Sequence, residues 1–141
     1  PVSTLMTALR DLGEMSNPDI CKVVANDCGC ALYFTRAPVP YDRGAWSERG
    51  HETEQNGTTS GIYGFKHIGL YAYTRSFLLR FPRLKASRLE NLERLEQLRA
   101  LENGYSIRVT ETERNSIGVD RFEDINTIEQ LLRKKNSDNR P

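Results

Sequence analysis

The chain has 141 residues, 38% of them hydrophobic and 28% charged, as in a soluble globular protein long enough for one domain with a real core. Its 20 basic and 19 acidic side chains leave a net charge of +1, so nothing points to nucleic acid or an anionic membrane as partner. No apolar run nears the ~18 residues of a membrane span, and the N-terminus lacks a signal-peptide layout.

An odd cysteine count, Cys21, Cys28 and Cys30, argues against a disulfide framework and for a cytoplasmic protein; "CGC" with distant His51 and His67 does not match a zinc spacing. In chain order, "STLMTALRDL" has a helix-like spacing that stops at Gly13 and "SNP". "ICKVVAND" and "CALYFTR" are β-rich runs flanking "NDCG", which predicts a hairpin. Residues 44–66 are expected to form a surface loop, polar and glycine-bearing from Gly44 to Gly61. "FKHIGLYAYT" alternates with period two and predicts a strand, and "RSFLLRF" a short helix stopped by Pro82. "ASRLENLERLEQLRALENGY" reads as a helix opened by a Ser87–Glu90 capping box and closed at Gly104. "SIRVTETE" predicts a strand, "DRFEDINTIEQLLRKK" a last helix, and residues 136–141 a disordered tail. Strands alternating with helices imply a mixed α/β sheet in one domain spanning 1–141.

The leucines at 89, 92, 95, 98 and 101 recur every third residue, which at ~100° per residue carries them around more than half of a helix. On the same wheel Glu90, Glu93 and Gln97 share an arc of ~60° beside apolar positions. That cluster is either a solvated face paired with Arg94 and Arg99 or the polar lining of a site for a polyhydroxylated ligand. Arg36 ends an apolar strand just before Pro38 and Pro40. It is either a strand-end arginine reaching solvent or a planar fork for a carboxylate or phosphate. His67 opens a strand and fits a structural role as well as a functional one. Asp120, after "IGV" and before the last helix, suits an N-cap or a Mg²⁺ ligand.

The segments "NPDICKVV", "ALYFTRAPVPYDR", "KHIGLYAY", "LENLERLEQLRALENGYSIRV" and "IGVDRFEDI" resemble, in order, the C-terminal half of the CMP-Kdo synthetases, over about residues 15 to 132. These are 3-deoxy-manno-octulosonate cytidylyltransferases. The resemblance implies a mixed-sheet, Rossmann-like nucleotidyltransferase fold with a β-hairpin and dimerisation region. It also implies transfer of CMP from CTP to the sugar acid Kdo with Mg²⁺, for lipopolysaccharide synthesis, in a cytoplasmic homodimer. The sugar's anomeric hydroxyl would attack the α-phosphate in line. By resemblance Arg36 meets the sugar acid at its carboxylate, His67 and Tyr71 line the Kdo pocket, Glu90, Glu93 and Gln97 contact the sugar, and Asp120 ligates Mg²⁺.

The family's nucleotide-binding motifs, "PARxxSxRLPGKPL" and "QGDEP", are absent from these 141 residues. The expected chain is therefore the sugar-acceptor and dimerisation half, inactive by itself. The alternatives are a stand-alone binding or assembly module derived from that fold, and a cytidylyltransferase for a related sugar acid.

Overall fold

A computed structural model describes residues 1–43 and 61–114, with positions 125, 129 and 130. The expected last helix, apart from those three positions, lies outside the described residues, as do Asp120, the 136–141 tail and most of the 44–66 loop. The strand after that loop starts at Gly64, so residues 64–66 belong to it and not to the connection.

The elements run β1 (Val2–Leu9), α1 (Leu12–Ser16), β2 (Lys22–Ala25), β3 (Ala31–Thr35), β4 (Gly64–Tyr73), α2 (Arg75–Arg80), a 3₁₀ turn (Phe81–Arg83), α3 (Arg88–Glu93), α4 (Gln97–Glu102) and β5 (Ile107–Glu111). They build one five-stranded sheet of order β3-β2-β4-β1-β5. β1 pairs parallel with β5 and antiparallel with β4, and the β2–β3 hairpin is antiparallel, so the sheet is mixed as expected.

The helix expected at the N-terminus is instead β1, an interior strand between β4 and β5. Val2, Leu5, Met6 and Leu9 fall at i, i+3, i+4 and i+7, the spacing of one helical face. An interior strand covered on both sides produces the same pattern by another route. Val2 joins the main core, whereas Leu9 and Met15 are buried outside it. A register shift against β4 between Ser3 and Leu5 breaks the alternation further. Thr4 stitches this irregularity, its hydroxyl lying 3.0 Å from the Ile68 carbonyl and 2.9 Å from that of Leu70.

The predicted hairpin is present, turned through Gly29 at φ 72°, where the Asn26 carbonyl accepts from the Gly29 N–H at 2.8 Å. Its turn reaches across to β5, where Val109 N–H donates to the Gly29 carbonyl and Cys30 bridges Arg108. The two edges of the sheet thus meet at one end. Val23, Phe34, Leu98 and Ile107 are wholly buried in the core, each worth about 1.5–3 kcal/mol of transfer free energy.

The long helix expected over 87–103 is two short ones. α3 starts at the predicted capping box, with Glu90 N–H on the Ser87 hydroxyl and Ser87 N–H on the Glu90 carboxylate. It ends at Arg94, which adopts φ 56° and ψ 46°. α4 ends at Gly104 (φ 78°) in a Schellman arrangement, Gly104 N–H donating to Leu101 and Tyr105 N–H to Ala100. The break explains the three-residue leucine spacing: Leu95 and Leu98 are buried, whereas Leu92, before the break, is 64% exposed.

Candidate sugar-acid site

Because the helix is broken at Arg94, Glu90, Glu93 and Gln97 do not form the single polar arc expected of one helix. Glu90 is 8% exposed and turned to Arg99, whose Nε lies 3.0 and 2.9 Å from its two oxygens and whose Nη2 also donates to it. The Arg99 hydrogen bonds hold the Glu90 carboxyl below the usual carboxylate range. Arg99 in turn lies over the Phe81 ring at 5.1 Å. Glu90 therefore closes a helix start.

Glu93 is the hub of a second network. Its Oε1 accepts from the Thr35 hydroxyl at 2.6 Å and from Tyr33 at 3.3 Å, and its Oε2 from Arg36 N–H at 2.9 Å. Burial acts to raise its carboxyl, but the bonds from Thr35, Arg36 and Tyr33 outweigh it and leave the carboxyl lowered. Arg36 donates its Nε to the Glu93 carbonyl at 2.9 Å and its Nη1 to the carbonyls of Pro18 (2.9 Å) and Asp19 (3.4 Å).

Inside this pair lies Lys22, 0% exposed, which the sequence reading did not single out. Its ammonium donates to the carbonyls of Asn17 (2.8 Å), Ile20 (2.7 Å) and Arg36 (2.6 Å). All three ammonium donors are matched, while burial pushes the group below the ordinary lysine range. Lys22 and Arg36 between them hold the four successive carbonyls of residues 17–20. Cys21 links this network to α4, since Gln97 Nε2 donates to its Sγ at 3.7 Å. Burial pushes the Cys21 thiol up to about 12, so it is an unreactive neighbour and not a nucleophile.

His67 and Tyr71 stand on β4 in a chain of rings. Phe34 meets His67 at 5.0 Å, His67 meets Tyr71 at 5.4 Å, Tyr71 stacks on Tyr73 at 5.6 Å, and Tyr73 on Phe77 at 6.1 Å. The His67 Nε2 lies 2.9 Å from the Thr4 hydroxyl. That hydroxyl has a single proton, already directed at a β4 carbonyl, so the imidazole is the donor, through a protonated Nε2. Burial lowers its pKa to about 4.

A neutral buried histidine makes stability depend on pH in a defined direction. The folded pKa lies below the ordinary 6.5, so the unfolded chain binds the proton first and stability is lost as pH falls from 6.5 toward 4. Down to 4.5, the ordinary pKa of the glutamates, the loss should amount to roughly 2 kcal/mol. Denaturant titrations across that interval should show this slope, and His67→Gln, which keeps a donor for Thr4, should flatten it. An unchanged slope in the variant would rule the assignment out.

Tyr71 and Gln97 share the wall of a cavity of about 250 Å³. Tyr73, Arg94 and Glu96 complete its polar rim, and Phe77 and Phe81 form part of its apolar lining. Burial raises the Tyr71 hydroxyl far above the usual phenol range, so it is a neutral hydrogen-bonding group. Of the expected site residues, then, Tyr71 and Gln97 line the cavity. His67 touches Tyr71 from behind, Glu93 and Arg36 form a brace reached through Cys21, and Glu90 is set apart with Arg99. Asp120 lies outside the described residues, and among those no three His, Cys, Asp or Glu side chains gather in a way that could hold a metal ion. Also among the described residues, no helix is long and apolar enough to cross a membrane.

A solved structure described as CMP:2-keto-3-deoxy-manno-octonic acid synthetase complexed with CTP superposes with a TM-score of 0.78 at 36% identity, covering 96% of this chain and 50% of that one. The fold is thus that of a nucleotidyltransferase. The family model described as cytidylyltransferase matches residues 1–114, and the chain belongs to that family. Among curated relatives, the 3-deoxy-manno-octulosonate cytidylyltransferase of Syntrophotalea carbinolica is 48% identical over 133 residues, 94% of this chain and 51% of the relative. That of Acidobacterium capsulatum is 50% identical over 125 residues, 86% and 45%. The resemblance seen in the motifs therefore extends along most of the chain, which spans about half the length of the curated relatives it matches.

Proposed function

We propose that these residues form the sugar-acid half of a cytidylyltransferase that moves CMP from CTP to Kdo. The observation that carries this reading is the cavity with Tyr71 and Gln97 on its wall, two positions already assigned to the sugar from motif resemblance. At about 250 Å³ it lies below the ~300–1,000 Å³ of sites for drug-sized ligands, which suits a monosaccharide better than a nucleoside triphosphate. Its stacked tyrosines offer an apolar face for a sugar ring, and its amide and carboxylate accept hydroxyl protons.

In this reading Arg36 assists the acid from the brace. Its Nε and Nη1 are engaged with carbonyls, and Nη2 has no hydrogen bond among the described residues. CTP is the proposed nucleotide partner and Mg²⁺, held by Asp120, the proposed ion; it would neutralise phosphate charge and activate the attacking hydroxyl. A homodimer belongs to the same proposal, and Leu78 and Leu79 on α2, each more than half exposed, are available for such a contact.

The test is calorimetric titration of the purified chain with Kdo. Saturable binding at one site per chain is expected, reduced by Arg36→Ala about tenfold. No binding by the unsubstituted chain would overturn the sugar-acid reading, and undiminished binding by Arg36→Ala would remove that arginine from it.

A further inference from the structure

Of the polar side chains on the rim of the cavity, Tyr73 and Glu96 serve the function proposed above as a stacking face and a hydroxyl acceptor, whereas Arg94 has no role in it. Arg94 differs from the others in its backbone. Among the described residues it is the one non-glycine residue with positive φ. The left-handed conformation drives Cβ against the following carbonyl, so glycine is the undemanding choice and a long side chain is disfavoured. The turn itself needs the left-handed step, because Leu95 N–H returns to the Glu90 carbonyl at 3.3 Å before α4 starts. It does not need an arginine. A strained backbone that keeps a costly side chain points to a use for that side chain.

The placement of Arg94 suggests what that use is. Its side chain is exposed, shares the cavity with Tyr71 and Gln97, and forms no ion pair or hydrogen bond among the described residues. The neighbouring guanidinium groups differ: Arg99 is held by Glu90, and Arg36 donates to three carbonyls and does not line the cavity. Glu96, on the same rim, is an acceptor for hydroxyls and repels an acid. A ligand carrying one carboxylate and several hydroxyls is therefore oriented, its acid toward Arg94 and its hydroxyls toward Glu96 and Gln97. We propose that Arg94 recognises the carboxylate of the sugar acid at the mouth of this cavity. The assignment rests on the sugar-acid reading of the cavity and adds, to an Arg36 that assists from the brace, a guanidinium on the cavity itself.

The left-handed backbone supplies an unusual test. Arg94→Gly removes the guanidinium and at the same time relieves the strain, so the variant should melt at or above the temperature of the unsubstituted protein. Calorimetric titrations with Kdo and with its carboxamide, each on the unsubstituted protein, Arg94→Gly and Arg94→Lys, separate the possibilities. The expected result is that Arg94→Gly binds Kdo about tenfold to hundredfold more weakly and binds the carboxamide as before. Arg94→Lys, which keeps the charge, should retain part of the preference for the acid. Unchanged Kdo affinity in Arg94→Gly, or an equal loss for acid and carboxamide, would overturn the role of Arg94 while leaving the sugar-acid site in place. No Kdo binding by the unsubstituted protein would overturn both.

Discussion

Lys22→Met should cost about 3–5 kcal/mol of folding stability, measured as a fall in denaturant midpoint at constant m. Methionine fills nearly the same volume, so the loss comes from hydrogen bonding and not from a cavity. It leaves the carbonyls of Asn17, Ile20 and Arg36 without the donor that now serves all three at 2.6–2.8 Å. A loss below about 1 kcal/mol would mean that water replaces the ammonium easily, and that the lysine is incidental. The effect should also reach Arg36, whose own carbonyl is one of the three. If the proposed sugar-acid site is right, Kdo binding should therefore weaken in whatever fraction remains folded.

Glu93→Ala should cost about 2–3 kcal/mol, because the Arg36 N–H and the hydroxyls of Thr35 and Tyr33 all lose their acceptor. Its diagnostic value lies in a comparison. If Glu93 acts as a brace, stability and Kdo affinity fall together, and Glu93→Gln, with one acceptor oxygen left, restores part of both. If the carboxylate itself holds a sugar hydroxyl, affinity falls in Glu93→Gln with stability little changed. The three hydrogen bonds already on this carboxylate favour the first result. Its depressed pKa adds a direction in pH: this stabilisation is present above the ordinary 4.5 and is lost as pH falls further.

The parts of the fold that were legible in the sequence carry local signals. The "NDCG" turn, the β4 strand, the Ser87–Glu90 box and the Gly104 stop each need only neighbours along the chain, and each is present, although the burial along β4 does not keep the expected alternation, Leu70 being exposed. β1 was not legible as a strand, because burial on both faces and a register shift place its apolar residues at helical spacing. The break at Arg94 has no glycine, proline or asparagine to announce it. The one available clue was the three-residue leucine spacing, which fits poorly on a single helix.

The site divides along the same line. Tyr71 and Gln97, expected near the sugar from motif resemblance, stand together in the cavity. Lys22 was missed because its partners are main-chain carbonyls, which leave no mark on residue types. Glu93 was expected to contact the sugar and here holds Thr35 and Arg36; whether a carboxylate faces a ligand or a neighbouring strand depends on packing that no helical wheel contains.

The place of β1 in the sheet also sets an order in time. This first strand lies between β4 and β5, pairing Val2 with Tyr73 on one side and with Ile107 on the other. Neither neighbour has been synthesised when β1 leaves the ribosome, and the second arrives only as the α3–α4 segment is complete. The β2–β3 hairpin can close early from its own turn, but the centre of the sheet must wait for contacts distant in sequence, the kind that slow folding most. Until β5 docks, one side of β1 remains open to pairing with another chain.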